Sequence, residues 1–262
     1  MRFEVRGNTT FASTGNRAHR ANAANVVFIH GAGQDHTIWL LPARYFARHG
    51  YNVLSLDLPG HGRSEGALLT SIEAMADWVA SAMDAVGFED AAVVGHSLGS
   101  LVALEMAGAQ PCRARSMALV GTTVPMPVGQ ALLDNAQAND HTALDMLNIW
   151  GHSQDAQLGG SHTPGMWMLG GGLRLFERAK PDVVYTDLLA CHQYAQGESR
   201  AEAVVCPSLL ILGERDMMTP VRSAKAILSK LKAAESVVIG DAGHALLAEA
   251  PEQVLDALIR IV

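Results

Sequence analysis

The chain is 262 residues long, 49% hydrophobic and only 17% charged, against about 25% charged in average soluble domains. That composition excludes intrinsic disorder and predicts a large core, and no apolar run approaches the roughly 18 residues that a membrane span requires. A net charge of −7, with 19 basic residues scattered among 26 acidic ones, excludes the basic surface that a nucleic-acid backbone demands. The cysteines Cys112, Cys191 and Cys206 are odd in number and far apart, which suits neither a disulfide framework nor a zinc site. The N-terminal stretch lacks the apolar core of a secretory signal, so a reducing cytoplasm is the expected compartment.

In chain order, Arg2–Gly7 and Thr9–Ser13 read as a hairpin around Gly7-Asn8. Asn25–Ile29 reads as a buried strand that stops at His30-Gly31-Ala32-Gly33. Trp39 to His49 reads as a helix stopped by Gly50, and Asn52–Leu56 as a strand ending in the loop Asp57–Gly62. Ser71 caps a long helix through Val86, with Glu73 and Asp77 near its positive end and Gly87 beyond its last turn. Ala91–Val94 is a strand that meets Gly95–Gly99 and passes into a helix from Ser100 to Ala109; Ser116–Val120 is the next strand. From 122 to 200 no strand is expected, only helical stretches and glycine clusters. Alternation resumes with the strands Ser208–Leu212 and Ser236–Ile239 and a final helix, Glu252–Ile261. The pattern predicts an α/β fold with a mostly parallel, doubly wound sheet, its core formed by 1–121 and 201–262 and interrupted by a helical insertion at 122–200.

Gly95-His96-Ser97-Leu98-Gly99 fits Gly-x-Ser-x-Gly between a strand and a helix, the context that gives the pattern meaning. A serine there sits on a strained turn, with a helix N-terminus aiming N–H groups at developing negative charge. A serine hydroxyl needs an adjacent base. Among eleven histidines, His244 stands out because it follows the last strand, where parallel sheets place their sites. The base needs an acceptor to fix its tautomer. Asp216, just past the strand 208–212, is the expected one, and Glu214 is its competitor. Asp57 reads as a turn residue.

These residues carry a resemblance to the α/β-hydrolase fold superfamily, in the capped branch of esterases, lactonases and carbon–carbon bond hydrolases. His30–Gly33 resembles its oxyanion loop, Asp57–Ser64 its structural loop after the fourth strand, and Ser97, Asp216 and His244 follow its nucleophile–acid–base order. The resemblance implies an oxyanion hole built from the N–H groups of Leu98 and Ala32, a loop-bracing role for His30, and a helical lid inserted after the sixth strand. It implies neither metal nor organic cofactor. Serine at 97 argues against dehalogenase and epoxide hydrolase chemistry, which uses a carboxylate there.

The stretch 122–173 contains Met126, Met146, Trp150, Met166, Trp167 and Met168, and no Lys or Arg. Adaptable methionines suit a tolerant apolar pocket, and His96, Met126, Met146, Trp150 and Trp167 are expected to line it. The lack of a cation there favours neutral substrates, with Arg63, Arg174, Arg178 and Arg222 as the remaining anion donors. His141, His152 and His162 are too widely spaced for a metal site. The expected function is a serine hydrolase of small, mostly apolar carboxylic esters, acting as monomer or homodimer on a small-molecule ester or lactone. A carbon–carbon bond hydrolase or enol-lactonase with the same triad, and a non-catalytic ligand receptor, are the alternatives.

Overall fold

The computed structural model of the protein describes residues 1–160 and 166–262. Its elements run β1 (Arg2–Val5), β2 (Asn8–Ser13), β3 (Asn25–Ile29), α1 (Leu40–Arg48), β4 (Asn52–Leu56), α2 (Ile72–Ala85), β5 (Ala91–His96), α3 (Leu98–Ala109) and β6 (Ala114–Val120). There follow α4 (Gln130–Gln137), α5 (His141–Gly151), α6 (Gln154–Gln157), α7 (Met168–Phe176), α8 (Val183–Gln193) and α9 (Gly197–Ala203). The chain closes with β7 (Ser208–Gly213), α10 (Val221–Leu228), β8 (Ala234–Ile239), α11 (Leu246–Glu249) and α12 (Pro251–Ile259).

One sheet takes all the strands in the order β1-β2-β4-β3-β5-β6-β7-β8. The hairpin β1–β2 and the β2–β4 pair are antiparallel, and every other pairing is parallel. From β3 the chain winds first to β4 on one side and then to β5 on the other. The loops leaving β3 and β5 therefore diverge side by side, which is the crevice where doubly wound sheets bind ligands.

The inner strands are apolar throughout because both faces are covered. In β3, Val27 and Ile29 face the layer of α2, α3 and α10. Val26 and Phe28 face the layer of α1 and α12. Phe28 is fully buried and packs on Trp39 and Phe46, with ring centroids 5.0 Å and 6.1 Å away. Ser71 caps α2, accepting the Ala74 N–H at 3.2 Å, as its position in the sequence leads one to expect. Of the boundaries that differ from expectation, two bear on the loops after β3 and β5. Asp35 accepts the Thr37 N–H and starts a short 3-10 turn, His36–Trp39, ahead of α1. Helix α3 begins at Leu98 and not at Ser100, leaving no residue but Ser97 between strand and helix.

The described residues between β6 and β7 form helices α4 to α9 and no strand. They keep a small core of their own, including Leu132, Leu133, Leu147, Phe176 and Leu188. Their C-terminal end is fastened to the sheet layer at Glu105 of α3, which is buried and accepts from Tyr194 Oη at 2.7 Å and Arg200 Nε at 2.9 Å. Among the described residues no helix is long and apolar enough to cross a membrane.

Truncating the aromatic hub beneath the sheet leaves a cavity that the layers cannot collapse into. Phe28→Ala is expected to lower the unfolding free energy by about 3–5 kcal/mol in urea denaturation; a loss below about 1 kcal/mol would mean that this layer is not tightly packed.

Candidate active site

Ser97 is a single residue in a left-handed conformation, φ 53° and ψ −119°, between β5 and α3. A side chain in that region is strained and persists only where its surroundings over-determine it. Here the Ser97 N–H is tied to the Val120 carbonyl of β6 at 2.9 Å. The flanking glycines make the crossing physically possible: a Cβ on Gly95 would run into the Gly99 carbonyl, and one on Gly99 into the Ile29 carbonyl. The side chain of Leu98 is buried in the core. Its amide is the first of α3, one of the N–H groups that a helix leaves without an intrahelical acceptor.

Asp216 and His244 follow β7 and β8. Both carboxylate oxygens of Asp216 are engaged: Oδ1 accepts the N–H groups of Met218 and Thr219 at 2.8 Å and 2.7 Å. Oδ2 accepts Thr219 Oγ1 at 2.6 Å and His244 Nδ1 at 2.8 Å. Burial acts to raise the pKa of this carboxyl, but the His244 ring and the Thr219 donors outweigh it and hold it at about 2. With Nδ1–H given to Asp216, the lone pair of His244 sits on Nε2. That atom is buried, has no hydrogen-bond partner among the described residues, and belongs to a side chain lining the same cavity as Ser97. Glu214, by contrast, is half-exposed and accepts the Asp241 N–H at 3.1 Å. Asp57 is a buried turn residue whose oxygens accept from the N–H groups of His36 and Arg63.

The loop after β3 is braced from several sides. His30 Nδ1–H donates to the Gly31 carbonyl at 2.9 Å while its Nε2 accepts the Leu58 N–H at 3.2 Å. The ring is therefore neutral, and burial with the nearby His61 charge lowers its pKa to about 4. The Gly31 carbonyl and the Ala32 N–H share one peptide plane, so fixing one orients the other. The Gly31 N–H donates to Gln34 Oε1 at 3.1 Å, and Ala32 lines the cavity beside Ser97. His96, buried and lowered to about 3 by burial and by His244, donates from Nε2 to the His244 carbonyl at 3.0 Å. Its Nδ1 lies 3.3 Å from Gln34 Oε1. One neutral ring thus links the loops after β3, β5 and β8. Glu249 adds a second tie, accepting the Gly243 N–H at 3.1 Å and the Ser153 N–H at 3.2 Å.

The cavity over Ser97 measures about 670 Å³ and is walled largely by apolar side chains, among them Met126, Leu147, Trp150, Trp167, Phe176 and Met218. His96, Met126, Trp150 and Trp167 are on the wall as expected. Met146 is not. It turns away on α5, where it packs with the insertion's own core and its Sδ lies 4.0 Å from Asn135 Nδ2. Arg174 and Arg178 stand at the cavity margin, Arg174 bonded to Glu177 and Arg178 to Asp35 at 2.6 Å. Arg63 lies over the Phe11 ring. His141 bonds Asp145 and Glu177, His152 bonds the Asn148 carbonyl, and His162 lies outside the described residues. The one cluster among the described residues with ligand-like spacing is Asp35, His36 and Asp57. Its oxygens already hold Thr37, Arg178, His36 and Arg63, so the donor set is spent on the turn and not presented to an ion.

Gln34, Thr219 and Glu249 were not among the residues singled out in the sequence. Only Thr219, three residues after Asp216, carries a local turn signal.

A serine on a strand–helix corner, lining one cavity with a histidine that a carboxylate holds beyond the ends of parallel strands, is the arrangement of an α/β-hydrolase. The chain belongs to the alpha/beta hydrolase family, whose model matches residues 26–257, and is an enzyme of that family. It is 26% identical to the (E)-2-((N-methylformamido)methylene)succinate hydrolase of Acinetobacter baylyi, over 89% of this chain and 88% of that one. It is 29% identical to the pimeloyl-[acyl-carrier protein] methyl ester esterase of Neisseria meningitidis serogroup A, over 84% of this chain and 70% of that one. Among solved structures, the enol-lactonase from Burkholderia xenovorans LB400 superposes with a TM-score of 0.87 at 20% identity, covering 99% of this chain and 98% of that one. At that identity the likeness is one of fold.

Because the folded pKa of Asp216 lies below its ordinary value, its contribution to stability is present above about 3.8 and lost as pH falls through about 2. Wild type is expected to melt above Asp216→Asn near neutral pH, with the gap closing as the pH is lowered across that window. A gap that persists unchanged at pH 2 would contradict the ionised, fully bonded carboxylate.

Proposed function

We propose that the protein is a serine hydrolase of small, mostly apolar, neutral carboxylic esters. The observation that carries this reading is the Asp216–His244 hydrogen bond at 2.8 Å, which leaves a buried, unpartnered Nε2 on the wall that also holds Ser97. Residues 1–121 and 201–262 are the catalytic core, and 122–200 are the cap that supplies most of the apolar wall.

Ser97 Oγ attacks the ester carbonyl as His244 Nε2 takes its proton. Asp216 keeps the ring in the right tautomer and stabilises the imidazolium. The oxyanion forms against the N–H groups of Leu98 and Ala32, each such donor contributing about 3 kcal/mol in comparable sites. His244 then hands the proton to the departing alkoxide, the alcohol leaves, and an acyl-Ser97 remains. In the second half, His244 takes a proton from water as its oxygen attacks the acyl carbon, and returns it to Ser97 Oγ as the acid departs. Neither half needs a metal or an organic cofactor. The free cysteines fit a reducing, cytoplasmic setting.

A second reading has one observation in its favour. Arg174 and Arg178 flank the cavity, and the Acinetobacter relative is named for a succinate-bearing substrate. A carboxylate-bearing ester, amide or enol-lactone would meet a cation there, and the same serine, base and oxyanion donors would serve.

Hydrolysis of nitrophenyl esters from acetyl to dodecanoyl, with wild type and Ser97→Ala in parallel, separates these readings. The expected result is turnover peaking at a short or medium chain and falling by about 10³-fold or more in the mutant. Retained turnover in a folded, contamination-free Ser97→Ala sample would overturn the mechanism. Turnover confined to carboxylate-bearing substrates would favour the second reading, and tight ligand retention without turnover a receptor.

A further inference from the structure

Asp187, on helix α8 of the insertion, is fully buried, and nothing in the catalytic cycle uses it. A buried carboxylate is costly unless paired, so its partners are informative. Its Oδ2 accepts the Gly33 N–H at 2.8 Å and His61 Nε2 at 2.9 Å. Its Oδ1 is buried without a partner among the described residues. The other nitrogen of His61, Nδ1, lies 3.0 Å from the Pro59 carbonyl. With a carboxylate at Nε2 and a carbonyl at Nδ1, both nitrogens are placed to donate, as those of an imidazolium would. Burial opposes that charge, but Asp187 outweighs it and raises the His61 pKa. The pair is therefore a buried histidine–carboxylate contact joining the insertion to the loop after β4.

The third partner, Gly33, gives the pair its consequence. Gly33 ends the turn that contains Ala32 and holds φ at +68°. A Cβ there would lie 2.9 Å from Val184 Cγ2 and 3.4 Å from Phe176 Cδ1, so α7 and α8 press directly on this turn. The peptide plane before Ala32 is fixed from the core by His30. Among the described residues, the plane after it is held by Asp187 alone, from the insertion.

We propose that Asp187 is a positioning residue: seated by His61, it holds the Gly33 amide and so pins the turn on the side of Ala32 that His30 does not reach, so that the segment carrying the Ala32 N–H is held at both ends, and the oxyanion hole kept in place, only when α8 is docked. The cap is then part of the catalytic apparatus and not only the wall of the pocket. This inference rests on the reading of Ser97 as nucleophile and Ala32 as oxyanion donor.

The test compares wild type, Asp187→Ala and Asp187→Asn by the rate of Ser97 labelling with a fluorophosphonate probe, by kcat and KM on a nitrophenyl ester, and by thermal melting. Loss of an aimed oxyanion donor predicts that Asp187→Ala lowers kcat and the labelling rate together by about ten- to a hundred-fold. KM should stay within about threefold, because the hole acts on the transition state. Asp187→Asn keeps an oxygen for the Gly33 N–H and should recover most of the loss. A folded Asp187→Ala with wild-type kcat and labelling would overturn the inference while leaving the serine mechanism standing. A wild type that never labels at Ser97 would overturn the mechanism itself, and this inference with it. Should Asp187→Ala not fold, amide exchange in the wild type decides. The Gly33 N–H is expected to exchange at least about a hundredfold more slowly than an open loop amide, and exchange at the open rate would overturn the proposal.

Discussion

Backbone meets backbone at the corner between β5 and α3. Gly95 lies against the Gly99 carbonyl, Gly99 lies against the end of β3, and no side chain fits between them. That contact forces Ser97 into its left-handed conformation and lifts its side chain out of the sheet at the point where the chain reverses its winding direction. The remaining parts are arranged around this fixed atom. The loop after β3 comes alongside because β3 and β5 are paired neighbours, and the loops after β7 and β8 bring Asp216 and His244 from the same end of the sheet. The apolar, two-faced packing of the inner strands supplies the rigidity that such a strained corner requires.

Protonation states in the site follow from what each ring nitrogen or carboxylate oxygen touches. His30 has one donor and one acceptor partner and is neutral. His61 has a carboxylate on Nε2 and a carbonyl on Nδ1, and Asp187 raises its pKa against the effect of burial. His96 is buried beside His244, its pKa lowered to about 3 by burial, and it holds the loop after β8 through the His244 carbonyl. Asp216, with every lone pair engaged, is a fixed anion. Two histidines of the cavity wall, His152 and His244, carry a buried nitrogen with no hydrogen-bond partner among the described residues, and of the two only His244 has its other nitrogen on a carboxylate. A low-dielectric site of this kind magnifies the few charges left in it, and here the Asp216 carboxylate sits behind the His244 ring.

Much of this was legible in the sequence because its signals are local. The β-branched runs, the Ser71 cap and the glycine pair around Ser97 each act within a few residues, and the sheet and the elbow follow from them. Asp216 was the expected partner of His244, with Glu214, two residues away, as its competitor, and what separates them in space is not a local signal. A turn closed by Thr219 points the Asp216 carboxylate inward, while Glu214 points outward. Met146 was expected in the pocket because methionine suits one. It precedes Leu147 on α5, and one residue is about 100° of helix rotation, enough to move it to the far face. The stretch 122–173 is free of cations, yet Arg174 follows immediately and reaches the cavity margin. Gln34, Asp187 and Glu249 act on partners 62, 154 and 96 residues away in the chain, and no local pattern announces such contacts.

The central claim is that Ser97 becomes covalently acylated during turnover. Acid-quenched samples taken within the first turnovers of a nitrophenyl ester, digested and read by mass spectrometry, test it directly. The expected result is an acyl group on the peptide containing Ser97, forming as nitrophenol is released and decaying as the acid product appears. Continued turnover with that peptide unmodified at every time point, or with the acyl group on another residue, would contradict the account.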